Sequence, residues 1–142
     1  MKHYLTGYTT GVFDMFHQGH LNILRNAKAL CDRLIVGVST DELVLSYKGK
    51  LPIMPFAERM DIIRAIKYCD AVVPQTSMDK YEAWQKLKFD VMFVGDDWYQ
   101  SDKWNKLCEQ FSRVDVKIIF LPHTEGVSST IRRNEYNNGK KS

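Results

Sequence analysis

Short, β-branched apolar runs alternate with amphipathic segments along this chain, and that order restricts the fold more than any other feature. Runs at Tyr4–Tyr8, Leu34–Val38, Ala71–Val73, Val91–Val94 and Val116–Leu121 have the length and content of buried strands. Between them the periodicity predicts helices over Leu21–Leu30, Ala57–Tyr68, Met78–Leu87 and Asp102–Phe111, with a last helix after Ser128. Strand–helix–strand alternation with short linkers buries its apolar faces best as a parallel sheet covered by helices. The expected fold is α/β: a single Rossmann-like domain over residues 1–133, with a mainly parallel five-stranded sheet and helices on both faces. Residues 134–142 read as a polar C-terminal tail, and Lys48–Pro55, with one glycine and two prolines, as the main irregular loop.

In such a sheet ligands bind outside the carboxyl ends of the strands, near the switch in strand order. Polar clusters follow four of the expected strands: Thr9–His20, Ser39–Glu42, Gly95–Trp98 and His123–Thr130. They should gather on one edge, where the site is expected.

Composition excludes several function classes. A formal charge of +3 over 142 residues, partly from Lys140 and Lys141, is too small for a broad nucleic-acid surface, but a local basic pocket for a small phosphorylated ligand is compatible with it. The three cysteines, Cys31, Cys69 and Cys108, form no CxxC pair and no zinc spacing, and read as packing residues in a reducing compartment. No apolar stretch resembles a signal peptide or approaches the ~20 residues of a membrane helix. The expected setting is the cytoplasm, without membrane or nucleic-acid partners.

The segment GVFDMFHQGH, Gly11–His20, carries the densest chemistry. Gly11 and Gly19 suit a tight turn and a close approach to ligand. A helix beginning near Gly19–His20 would aim its free N–H groups and positive dipole end at the strand ends, which makes an anion site. His17 and His20 could donate to phosphate oxygens there, cap the helix, or serve as two ligands of a metal for which no further ligand cluster is visible. Asp14 could orient the loop or hold an associated metal.

GVFDMFHQGH also resembles the HxGH signature of the small nucleotidyltransferases, and HTEGVSST, His123–Thr130, resembles their second signature, RTEGIST. STDE at Ser39–Glu42, ERMDIIRAIKY at Glu58–Tyr68 and VGDDW at Val94–Trp98 are similar to the glycerol-3-phosphate cytidylyltransferase branch. The resemblance runs through about Arg133. It implies direct attack of a phosphoalcohol oxygen on the α-phosphorus of CTP, giving a CDP-alcohol and pyrophosphate, with Mg²⁺ accompanying the triphosphate and a homodimeric assembly. Adenylyl transfer from ATP, a different phosphorylated acceptor and a non-catalytic nucleotide-binding module are the alternatives.

Residue by residue, the resemblance implies that His17, His20 and Lys48 serve the chemistry at the phosphates. It assigns Thr10, Gly11, Val12, Phe13, Asp14, Gly19, Asp96, His123, Thr124, Ser128, Ser129 and Thr130 to the nucleotide. Arg59, Lys67 and Lys50 are implied on the acceptor side. Three positions depart from the family pattern: His123 stands where the signature has arginine, Val12 where threonine is common, and Lys67 where arginine is frequent. The family's acceptor-region tryptophan has no clear counterpart, with Tyr81 or Trp84 as candidates to replace it.

Overall fold

The structure, a computed structural model, describes residues 3–95 and 102–122, with side chains from 105 onward in the second block. In chain order the elements are β1 (Tyr4–Gly11), α1 (Gln18–Lys28), β2 (Cys31–Ser39), α2 (Asp41–Lys48), α3 (Phe56–Ala65), β3 (Ala71–Gln75), α4 (Lys80–Leu87), β4 (Val91–Gly95), α5 (Asp102–Ser112) and β5 (Lys117–Leu121). The strands form one sheet in the order β3-β2-β1-β4-β5, and every pair is parallel. This is the expected Rossmann-like arrangement.

Alternation along the strands divides the interior. Leu34, Val36 and Val38 of β2, with Val91 and Phe93 of β4, face a core closed by Leu24 and Ala27 of α1 and Ile63 of α3. Their neighbours Ile35, Met92 and Val94, with Tyr8 of β1, face a second core closed by Phe111 of α5 and by Tyr81 and Trp84 of α4. Side chains two apart share a face, so each strand feeds both cores. Two helices cover each side.

The first strand runs to Gly11, beyond the apolar run that announced it. As the central strand it pairs with β2 as far as Gly11 and with β4 as far as Thr9, so ladder bonds carry it past the apolar run. Helix α2 is a correction: Asp41–Lys48 was not anticipated, and Lys48 ends that helix instead of opening a loop. Its signals are at the ends. Thr40 Oγ1 accepts from Leu43 N at 3.2 Å, and Gly49 stops the helix at φ 74°, a left-handed conformation that costs glycine little. Only Val44 is buried, so eight residues carry almost no apolar periodicity to read. The expected helix after Ser128 and the tail 134–142 lie outside the described residues.

Candidate active site

A cleft of about 530 Å³ opens at the carboxyl edge of the sheet. Its floor is made by the ends of four strands, through Thr10 and Gly11, Ser39, Gln75 and Gly95, and its walls by Lys48 of α2, Lys80 of α4 and Lys106 of α5. The strand order reverses between β1 and β4, so the cleft sits at the switch point where α/β sheets take ligands. Three of the four expected polar clusters contribute to it through Thr10, Ser39 and Gly95.

The loop from β1 to α1 does not bend at its glycines. Positive φ occurs at Phe13 (56°) and Met15 (50°), and Gly11 serves instead by lacking a side chain: a Cβ there would lie 3.0 Å from the Phe13 ring. Left-handed backbone at non-glycine residues persists only when the surroundings hold it. Here Phe13 is buried, Asp14 accepts from Ile53 N (2.8 Å) and Met54 N (3.0 Å), and Met15 N donates to Met54 Sδ at 3.2 Å. Asp14 therefore orients the loop, with both carboxylate oxygens taken by backbone N–H groups.

His17 and His20 form a reciprocal helix cap. Gly19 N donates to His17 Nδ1 at 3.0 Å, and His17 N donates to His20 Nδ1 at 3.2 Å. The rings stack, with centroids 3.9 Å apart and planes 22° apart. Burial first, then the adjacent His17, lowers the His20 pKa to about 3, against an opposing pull from Asp14. His20 is thus neutral at physiological pH, and with Nδ1 accepting, its proton belongs on Nε2. Capping and donation, which stood as rival readings of these residues, are compatible: the caps occupy the Nδ1 atoms and set Nε2 as the donor.

Arg59 lies inside the protein, fully buried, rather than open to an acceptor. Its Nε donates to Met54 O (3.0 Å), Nη1 to Val12 O (2.8 Å) and Ser39 O (2.7 Å), and Nη2 to Asp41 Oδ1 (2.5 Å). One guanidinium ties the end of β2, the β1–α1 loop, the start of α2 and the approach to α3. Its planar fork is what allows four acceptors at once.

The expected basic residues separate. Lys48 lines the cleft; Lys50 is exposed on the loop after α2 and is not part of the lining. Lys67 is exposed between α3 and β3, at the start of a strand whose other end, Gln75, reaches the cleft, so the fold leaves it on the opposite edge. Tyr81 and Trp84 pack into the second core and do not line the cleft, where Met78 stands instead. Lys80 and Gln75 went unread in the sequence. Lys80 is buried, with Nζ donating to Thr10 Oγ1 at 3.1 Å, and a lysine opening a helix gives no sign of this in the sequence. Asp96, Trp98, His123, Thr124, Ser128, Ser129 and Thr130 lie outside the described residues.

Lysine cations stand around the cleft, which suits a polyanion, while His17 and His20 start α1 at the same sheet edge without lining it. Among the described residues no group of three His, Cys, Asp or Glu side chains is placed to hold a metal. The three cysteines are free thiols, with burial raising the pKa of each. No helix among the described residues is long and apolar enough to cross a membrane.

Comparison with known proteins agrees with this architecture. The glycerol-3-phosphate cytidylyltransferase of Bacillus subtilis (strain 168) is 36% identical over 129 residues, covering 86% of this chain and 89% of that protein. The FAD synthase of Pyrococcus abyssi is 40% identical over 116 residues, covering 80% of this chain and 77% of its own length. Among solved structures, a lipopolysaccharide core biosynthesis protein from Thermoplasma volcanium GSS1 superposes with a TM-score of 0.71 at 26% identity, over 85% of this chain and 97% of that one. Residues 8–135, a span that holds the switch-point cleft and the paired histidines, match the family described as Cytidylyltransferase-like, and the chain belongs to this family.

Proposed function

We propose that this chain transfers a cytidylyl group from CTP to a phosphoalcohol, with glycerol 3-phosphate as the acceptor. The observation that carries the reading is the switch-point cleft with Lys48 and Lys80 in its walls, at the edge where the histidine cap starts α1. An ionised phosphate oxygen of the acceptor attacks the α-phosphorus, a new P–O bond forms, and the bond to the β-phosphate breaks to release pyrophosphate. An acceptor that is already an anion needs no protein nucleophile. The protein's part is alignment and neutralisation of charge as it moves to the leaving group.

His17 and His20 donate through Nε2 to the phosphates, and Lys48 adds a cation. Asp96 and the segment His123–Thr130 are assigned to the nucleotide by resemblance. Mg²⁺ enters as the companion of CTP, since the described residues build no cage for it. A homodimer in the cytoplasm is part of the reading, supported by the family likeness and the free thiols, and light scattering of the purified protein tests the assembly. The product would be an activated alcohol for a wall or capsule polymer.

The likeness to an FAD synthase favours one second reading, adenylyl transfer. Pyrophosphate release measured with each nucleoside triphosphate against a panel of phosphoalcohols decides between them. Release with CTP and a phosphoalcohol is expected. Preference for ATP selects the second reading, and CTP binding without turnover at any pH identifies a non-catalytic module.

A further inference from the structure

The cleft has an end that the nucleotide does not account for. The histidine loop follows β1 at the β1–β4 switch point, while the cleft continues over β2 and β3 to the start of α4. Gln75 closes β3 at that far end. Its backbone is fixed by register with Ser39 and by Thr40 N, which donates to Gln75 O at 3.0 Å.

Gln75 is 5% exposed, and Ser39 orients its side chain. Ser39 Oγ donates to Gln75 Oε1 at 2.8 Å. A serine hydroxyl has one proton, and here it goes to the amide oxygen. The amide is thereby set with Oε1 toward Ser39, and its Nε2 is buried without an acceptor among the described residues. Buried amide donors are nearly always paired. Ser39 and Gln75 both line the cleft.

Strand order indicates what that donor meets. Lys80, bonded to Thr10, stands over central β1, and Gln75 stands two strands away on β3. An acceptor phosphate has to lie on the β1 side to reach the α-phosphorus, so its alcohol portion extends over β2 toward β3. We infer that Gln75 reads the alcohol, its Nε2 donating to a hydroxyl oxygen of a phosphorylated polyol, and so discriminates polyol phosphates from alkyl and amino-alcohol phosphates. An alkyl group leaves the donor buried and unpaired, and an ammonium presents only further donors. The inference rests on the phosphoalcohol reading above and adds the residue that sets the acceptor class.

The test is a cycle between residue and substrate. Steady-state rates with CTP are measured for glycerol 3-phosphate, ribitol 5-phosphate, n-propyl phosphate and ethanolamine phosphate, using wild type, Gln75→Met and Gln75→Glu. Wild type should favour its best polyol phosphate over propyl phosphate by roughly ten- to a hundredfold in kcat/KM. Gln75→Met should bring that ratio within about threefold while the KM for CTP stays within about twofold. Gln75→Glu, nearly isosteric if the methionine variant folds poorly, should shift preference toward ethanolamine phosphate. A polyol preference untouched by either variant, equal losses for CTP and every acceptor, or no discrimination by wild type overturns the inference and leaves cytidylyl transfer standing. A wild type that uses no phosphoalcohol overturns both.

Discussion

The imidazoles of His17 and His20 lie face to face, 3.9 Å between ring centroids, and each Nδ1 accepts a backbone N–H from the turn that opens α1. The pair is at once the cap of a helix and a set of aligned donors. Substitutions that keep one role and remove the other separate the two.

Asparagine at position 17 keeps an acceptor for the cap and removes the Nε2 donor; alanine removes both. His17→Asn should hold its melting temperature near wild type, whereas His17→Ala should lose about 1 kcal/mol of stability. Both should lower kcat by ~10²–10³, the effect of deleting one preorganised donor. Thermal melts beside pyrophosphate-release kinetics check this, and full activity in His17→Asn contradicts the phosphate role.

His20 also gives stability a pH dependence. Its pKa is about 3 in the folded protein and about 6.5 when unfolded, so the unfolded chain binds the extra proton between those values. Stability from this group is therefore complete above the unfolded pKa and is lost as pH falls from 6.5 toward 3. Between pH 7 and 5 the loss should be on the order of 1–2 kcal/mol. Urea titrations should show it in wild type and a flatter profile in His20→Asn; equal slopes contradict the neutral, half-buried imidazole.

Arg59 is expected to matter first for folding. Removing its charge strands three backbone carbonyls and the half-buried Asp41 carboxylate, and each buried acceptor left unpaired costs roughly 1–3 kcal/mol. Arg59→Met should melt much lower than wild type. Arg59→Lys should recover little, since one ammonium cannot reproduce the fork. A raised acceptor KM with unchanged stability would point instead to a direct substrate contact.

Lys48 and Lys50 should behave differently despite their spacing. Lys48→Ala should lower kcat/KM for CTP roughly ten- to a hundredfold, the worth of one charged hydrogen bond, and Lys50→Ala should stay within about threefold. Kinetics at two ionic strengths check the contrast, because an exposed lysine loses its influence as salt rises. Equal effects would mean that the loop after α2 folds back over the cleft.

How much of this was legible follows from the range of each interaction. The five strands and the switch-point edge were written in local apolar periodicity, which needs no knowledge of partners. Helix α2 escaped because it buries only Val44 and is specified by Thr40 and Gly49 at its ends. Asp14 left two readings open, and only the approach of Ile53 and Met54, some forty residues on, chose loop support. Lys67 shows the reverse: a motif placed it beside the acceptor, and the length of α3 carries it to the other edge.

The sequence alone determined the alternating elements, the parallel sheet and the strand ends at which ligand chemistry would collect, because these depend on the spacing of residue types along the chain. Tertiary structure decided what each polar side chain is for. Arg59 became an internal tie, Lys80 a wall of the cleft and Gln75 a buried donor. These roles depend on groups brought within about 3 Å by strand register and helix packing, and such distances are a property of the fold rather than of any one segment.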